Sequence, residues 1–145
     1  GASSVLSFVL SFTGLPQAIS SALLSITSNK YILLIIINVI LLIVGTFMDM
    51  APALLIFTPI FMPVVTSIGM DPIQFGVMMV MNLAVGTITP PVGSVLFVGC
   101  SVANLKVEKV VPRLVPYFIA IVIGLFLVTF IPALSLGLPS LFGMI

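Results

Sequence analysis

The chain has 145 residues, of which 61% are hydrophobic and only 5% charged, with a formal net charge of +1 and no His or Trp. A soluble domain carries about 25% charged residues, so this composition cannot cover a water-facing surface and its solvent is largely lipid. The small net charge offers no basic field for nucleic acid, and the lack of His removes imidazole metal sites and every catalytic triad that needs one.

A bilayer core about 30 Å thick takes about 20 helical residues to cross. Residues 1–14 are apolar but short, and Gly14, Leu15 and Pro16 end the run. They read as the end of a truncated transmembrane helix. Gly1 has no initiator Met and no basic stretch behind it, so the chain is expected to start at a cut or at a numbering break. Residues 15–30 read as an interfacial arm helix. Leu15, Ile19, Ala22, Leu23 and Ile26 share one face, and Gln17, Ser20, Ser21 and Ser25 the other. A single span over 4–26, kinked at Pro16, ranks second because its Ser-rich face would meet lipid.

Residues 31–69 read as a re-entrant hairpin. The run 31–45 is 15 residues of mostly Ile, Leu and Val with one Asn, about 22 Å of helix and short of a crossing. It stops at GTFMDMAP, and a run of similar length, 53–67, leads to Gly69 and Pro72. The alternative joins both runs into one bent span with Asp49 near its middle. A carboxylate at that depth needs a partner in either case, which marks the tip as functional.

Residues 70–103 read as a discontinuous transmembrane helix. Its centre, GTITPPVG over 86–93, contains Pro90 and Pro91. Two successive prolines remove two N–H donors and push the preceding residues out of the helical region. Residues 104–116 form a second amphipathic arm, with Lys106, Glu108, Lys109 and Arg113 facing water. Residues 117–145 hold the final transmembrane helix, the end of an unbroken run over 114–131, and a loose apolar tail. The basic excess at 104–113 puts that arm in the cytoplasm by the positive-inside rule, leaving Lys30, Asp71 and the C-terminus outside. Cys100 lies in an apolar run and reads as a small buried residue.

Two broken elements in succession are what secondary transporters use at the bilayer midplane. Unwinding frees carbonyl oxygens and aims half-helix ends into the gap. Carbonyl, Thr and Asp oxygens are hard ligands suited to Na⁺, so Thr46, Asp49, Thr87 and Thr89, with backbone groups of Gly45 and Gly86, are the candidate cation ligands. Asn82 lies one turn before the break and is expected to orient it, while Pro90, Pro91 and Gly93 hold its shape.

The segments LLIVGTFMDMAPALLIFTPIFMPV, GMDPIQFGVMMVMNLAVGTITPPVGSVLFV and FIPALSLGLP resemble the large membrane subunit of tripartite ATP-independent periplasmic (TRAP) transporters. The resemblance implies an all-α integral membrane fold built from two inverted repeats, each with a hairpin and a broken helix. This chain would be the C-terminal half. It further implies a small membrane subunit, a soluble periplasmic substrate-binding protein, and the missing N-terminal half as partners. The implied activity is Na⁺-driven, elevator-type import of organic acids such as sialic acid or C4-dicarboxylates across the bacterial inner membrane. A single-component Na⁺/dicarboxylate or citrate symporter is the runner-up; the resemblance to that group would require Ser-Asn-Thr at the tip, where this chain has Gly45, Thr46, Phe47, Met48 and Asp49. A membrane scaffold with no substrate path ranks third, and an intramembrane enzyme fourth, since no catalytic set can be assembled.

Overall fold

The computed structural model describes residues 5, 8, 9, 12–27, 29–90 and 92–142. Pro91, most of the 1–14 segment and the last three residues of the tail lie outside the described residues. Among those described, all regular structure is helical: α1 (Leu15–Ile26), α2 (Lys30–Phe47), α3 (Met50–Ser67), α4 (Pro72–Thr87), α5 (Ser94–Val102), α6 (Val107–Phe130) and α7 (Pro132–Leu141).

Local chemistry sets the boundaries. Asn29 caps α2 by accepting from the Tyr31 N–H at 3.0 Å, and Asp71 caps α4 from the Ile73 N–H at 2.8 Å, with Pro72 at the first helical position. Between α3 and α4, Gly69 takes a left-handed φ of 77°, and the Met70 N–H reaches back to Val65 O at 2.9 Å. That is a glycine C-terminal cap, which satisfies carbonyls that lipid cannot. Asn104 makes the turn before α6 at φ 52°, a conformation that Asn tolerates better than most residues.

α4 is the centre of the bundle. It packs most heavily on α2 and also contacts α3 and α6, whereas α2 and α3 touch each other little. Phe75, Met78, Met79 and Leu83 of α4 meet Leu34, Ile37 and Leu41 of α2 and Phe61, Val64 and Val65 of α3, all buried. Lipid tails are as apolar as these side chains, so fit rather than escape from water holds the helices together. Methionine suits that task. Its sulfur also meets polar groups here: Asn38 Nδ2 lies 3.5 Å from Met78 Sδ, and Thr58 Oγ1 lies 3.5 Å from Met79 Sδ.

Helix directions follow from the contacts. Asn38 bonds Asn82, and Gly45 lies against Gly86, so α2 and α4 run parallel. Lys30 and Met70 line one cavity of about 230 Å³ with Gln74 and Thr129, so α3 returns to the end where α2 began. The opposite end of that pair carries the two-residue turn Met48 and Asp49.

Several elements differ from the sequence reading. α2 and α3 are each 18 residues, longer than the 15-residue apolar runs, because Lys30, Thr46 and Phe47 at one helix and Met50, Ala51 and Pro52 at the other join the helices. Together with α6 they are, among the described residues, the three helices long and apolar enough to cross a membrane. The 104–116 arm is not separate from the last span: α6 runs from Val107 to Phe130, and Pro112 and Pro116 remove two donors without ending it. The tail forms a helix, α7, opened by Pro132. On α1, Ser21 and Ser25 donate to the Ala18 and Ala22 carbonyls at 2.9 and 2.6 Å. Their hydroxyls are thus satisfied within the helix, and a Ser-rich face does not by itself require water.

The antiparallel return of α3 gives a direct expectation. In the complete membrane-embedded protein, cysteines placed at Lys30 and Ser67 should react with an impermeant thiol reagent from the same side. Labelling from opposite sides would contradict this arrangement.

Candidate functional site

The tip between α2 and α3 and the break between α4 and α5 meet at one place, because two glycines let two backbones touch. A Cβ on Gly86 would overlap the Gly45 carbonyl carbon and lie 2.5 Å from its Cα; a Cβ on Gly45 would lie 3.0 Å from Leu83 Cα. No side chain fits at Gly86, and one at Gly45 would press on the backbone of Leu83 and Gly86. Both residues are buried and both are still helical, in the last turns of α2 and α4. Gly45 and Thr46, and likewise Gly86 and Thr87, therefore belong to helix ends rather than to unwound backbone. The glycines serve close approach, not unwinding.

Past this contact α4 ends, and residues 88–90, 92 and 93 are non-helical before α5 begins at Ser94. Thr89 N–H donates to Gly86 O at 2.9 Å, and Pro90 follows, half-buried. Gly93 closes the break at φ 28°, and a Cβ there would sit 2.9 Å from Thr89 O and 3.3 Å from Thr87 O. Two backbone carbonyls of the break thus converge on space that only glycine leaves open.

The threonines divide. Thr46 and Thr89 line one cavity of about 310 Å³ with Leu42, Val85, Phe118 and Val122, whereas Thr87 does not. Each hydroxyl donates its proton to its own backbone: Thr46 to Leu42 O at 2.9 Å, Thr89 to Val85 O at 2.6 Å, and Thr87 to Ala84 O at 2.8 Å. A hydroxyl that has given its proton away keeps lone pairs to offer. Asp49 is exposed and makes no side-chain cap bond to α3; instead its Oδ1 accepts from Ser94 Oγ at 2.8 Å. That bond ties the tip to the first residue of α5. Asn82 does not reach the break. It is fully buried and donates to Asn38 Oδ1 at 2.8 Å and Met78 O at 2.9 Å.

Electrostatically the place gathers four helix ends. α2 and α4 bring their C-termini, which carry partial negative charge, and α3 and α5 bring N-termini, which carry partial positive charge. Asp49 sits at the N-terminal pair. Ser94 and Asn38 are the residues that sequence reasoning passes over. Asn38 had a readable signal: it lies seven residues before Gly45, and Asn82 four before Gly86, so each Asn shares a helical face with its glycine.

Residues 1–134 match the family model described as the DctM component of the tripartite ATP-independent periplasmic transporter. A protein of Salmonella typhimurium named as uncharacterized protein YgiK is 47% identical over 99% of this chain and 33% of its own length. The C4-dicarboxylate TRAP transporter large permease protein DctM of Pseudomonas aeruginosa is 38% identical over 94% of the chain and 32% of its own length. For the sialic acid TRAP transporter large permease protein SiaM of Vibrio cholerae the identity is 36%, over 95% and 32%. The chain spans about a third of the length of the curated relatives it matches.

The glycine contact is open to test by one methyl group. Gly86→Ala should cost about 1–3 kcal/mol through overpacking against the Gly45 backbone. Gly76→Ala, on the same helix with nothing within 4 Å of its Cβ position, should be neutral or stabilising by up to about 1 kcal/mol. Thermal unfolding of the purified protein distinguishes the two; equal effects would mean that the helices do not approach as described.

Proposed function

The chain belongs to the DctM component family of tripartite ATP-independent periplasmic transporters, and from that premise we propose that it forms the C-terminal, cation-binding half of a large permease. As a member it is a multi-pass, all-α protein of the inner membrane and not an enzyme. The proposed activity is Na⁺-coupled import of an organic acid, of the C4-dicarboxylate or sialic acid class named for its relatives. Its partners would be the small membrane subunit, a periplasmic binding protein that delivers the substrate, and the remaining part of the large subunit.

One observation carries this reading: the hairpin tip and the helix break are joined by the Gly45–Gly86 contact, with Thr46 and Thr89 on a shared cavity wall. The donor set fits a hard monovalent cation. Thr46 and Thr89 hydroxyls have their protons committed to carbonyls, and the Thr87 and Thr89 carbonyls converge beside Gly93. The C-terminal ends of α2 and α4 add negative potential at the same place. Gly45, Thr46, Gly86 and Thr89 are the proposed ligands, with Thr87 contributing its carbonyl oxygen. A bound Na⁺ would couple the ion gradient to transport. Asp49 braces the tip rather than ligating: it faces two helix N-termini and is held by Ser94.

Depth supports a re-entrant hairpin. Thr46 shares its cavity with Phe118 and Val122, which precede Phe130 by 12 and 8 residues, roughly 12–18 Å along α6 at about 1.5 Å per residue. α6 continues for more than 10 further residues beyond Phe118 to Val107. The tip therefore stops beside the middle of the long helix. With the basic start of α6 in the cytoplasm, the hairpin enters from the periplasmic side and the C-terminus is periplasmic. An inverted repeat in the remaining subunit would supply a second such site, and an elevator motion would carry both across the membrane.

In the complete transporter, Thr46→Ala and Thr89→Ala should each raise the Na⁺ concentration for half-maximal uptake of the organic acid by about tenfold, the worth of a bond to a charged group. Binding of that acid to the soluble receptor should not change. An unchanged Na⁺ response in both variants would put the cation elsewhere.

A further inference from the structure

We propose that Asn38 and Asn82 form a register pin, a buried amide pair whose task is to position the cation site rather than to stabilise the fold. The proposal rests on the cation-site reading above and adds residues outside it.

Both amides lie in the buried centre of the bundle, Asn38 1% exposed and Asn82 fully buried. Three helices converge on one atom. Asn38 Oδ1 of α2 accepts from Asn82 Nδ2 of α4 at 2.8 Å and lies 3.4 Å from Thr129 Oγ1 of α6. Of the remaining amide protons, Asn38 gives one to Leu34 O at 2.7 Å and one towards Met78 Sδ at 3.5 Å, and Asn82 gives its second to Met78 O at 2.9 Å. The pairing accounts for every amide N–H and fixes which way each amide points: turning Asn82 over would set its oxygen against two other oxygens.

One acceptor is left over. Asn82 Oδ1 has no hydrogen-bond partner among the described residues. A buried carbonyl without a donor costs free energy, so a pair of leucines here would hold the fold at least as well. What neutral amides add is direction. Apolar faces such as Leu34, Ile37 and Leu41 against Met78 and Leu83 tolerate sliding, because fit alone ranks neighbouring registers closely. An amide–amide hydrogen bond at one height does not, and a single buried Asn sets register in helix pairs at a cost in stability. On α2 the pin lies two turns before Gly45, and on α4 one turn before Gly86. Sliding α2 by one residue would put a side chain of α2 where Gly86 permits none. The pin and the glycine contact thus fix one alignment of α2 on α4 from two heights, and with it the spacing of Thr46 from Thr89. Charge would serve badly at this depth, which explains amides in preference to an ion pair.

The test uses the purified complete permease, with Na⁺ as the probe and K⁺ as control, reading the rise in melting temperature against Na⁺ concentration. The double variant Asn38→Leu/Asn82→Leu should melt in K⁺ within error of the parent protein. Its half-saturating Na⁺ concentration should rise roughly three- to tenfold, the worth of one neutral hydrogen bond. An intact melting temperature with an unchanged Na⁺ response overturns the pin, while leaving the cation site to the threonine variants. Absence of any Na⁺ effect on the parent protein would defeat the cation-site reading instead. Should the double variant not fold, Thr129→Val, which removes only the outer hydroxyl, is read the same way. A weakened Na⁺ response with unchanged melting in K⁺ supports the pin, and an unchanged response overturns it.

Discussion

The backbone contact between Gly45 and Gly86 is the constraint on which the rest of this structure depends. Helix axes normally stand 8–10 Å apart because side chains separate them. Here a Cβ on Gly86 has no room at all, so the ends of α2 and α4 meet main chain to main chain. In lipid such contacts are a principal source of helix affinity, since hydrophobic burial gives little between apolar surfaces. The same contact brings two interruptions of the helical pattern together, the turn at Met48 and Asp49 and the break between α4 and α5.

From that juxtaposition the polar chemistry follows. Irregular backbone away from water has to be satisfied by protein or by a ligand. The hydroxyl protons around it are committed locally: Thr46, Thr87 and Thr89 donate to carbonyls of α2 and α4, and Ser94 donates to Asp49. What remains are oxygen lone pairs near two negative helix ends, a combination that favours a cation and requires no carboxylate ligand. The acid of the site lies at the positive helix ends instead. One place therefore holds both signs of helix dipole, with Asp49 compensating one and the proposed cation the other.

The breaks were legible in the sequence because their cause is covalent. Proline lacks an N–H wherever it stands, so Pro90 and Pro91 announce an interruption, and a caps-and-glycine pattern announces the turn at Gly69. Other features depend on what lies opposite, which one chain segment cannot reveal. Gly45 looks like a helix breaker, yet it is helical and exists to admit Gly86. Pro112 and Pro116 look like a boundary, yet α6 continues through them from Val107 to Phe130. Ser94 looks like any residue at a helix start until Asp49 is found 2.8 Å away, 45 residues distant in sequence. The lone Asn38 in an Ile- and Leu-rich run was visible, but its partners on α4 and α6 were not.

Hydrogen exchange of the purified complete permease, compared in Na⁺ and in K⁺ at equal ionic strength, tests most directly whether tip and break are one cation site. Amides of residues 45–49 and 86–94 should slow together in Na⁺, over a single concentration range, while those of α1 and of residues 55–65 stay unchanged. Slowing in only one of the two segments, or none in either, would contradict a shared site and leave the glycine contact as packing alone.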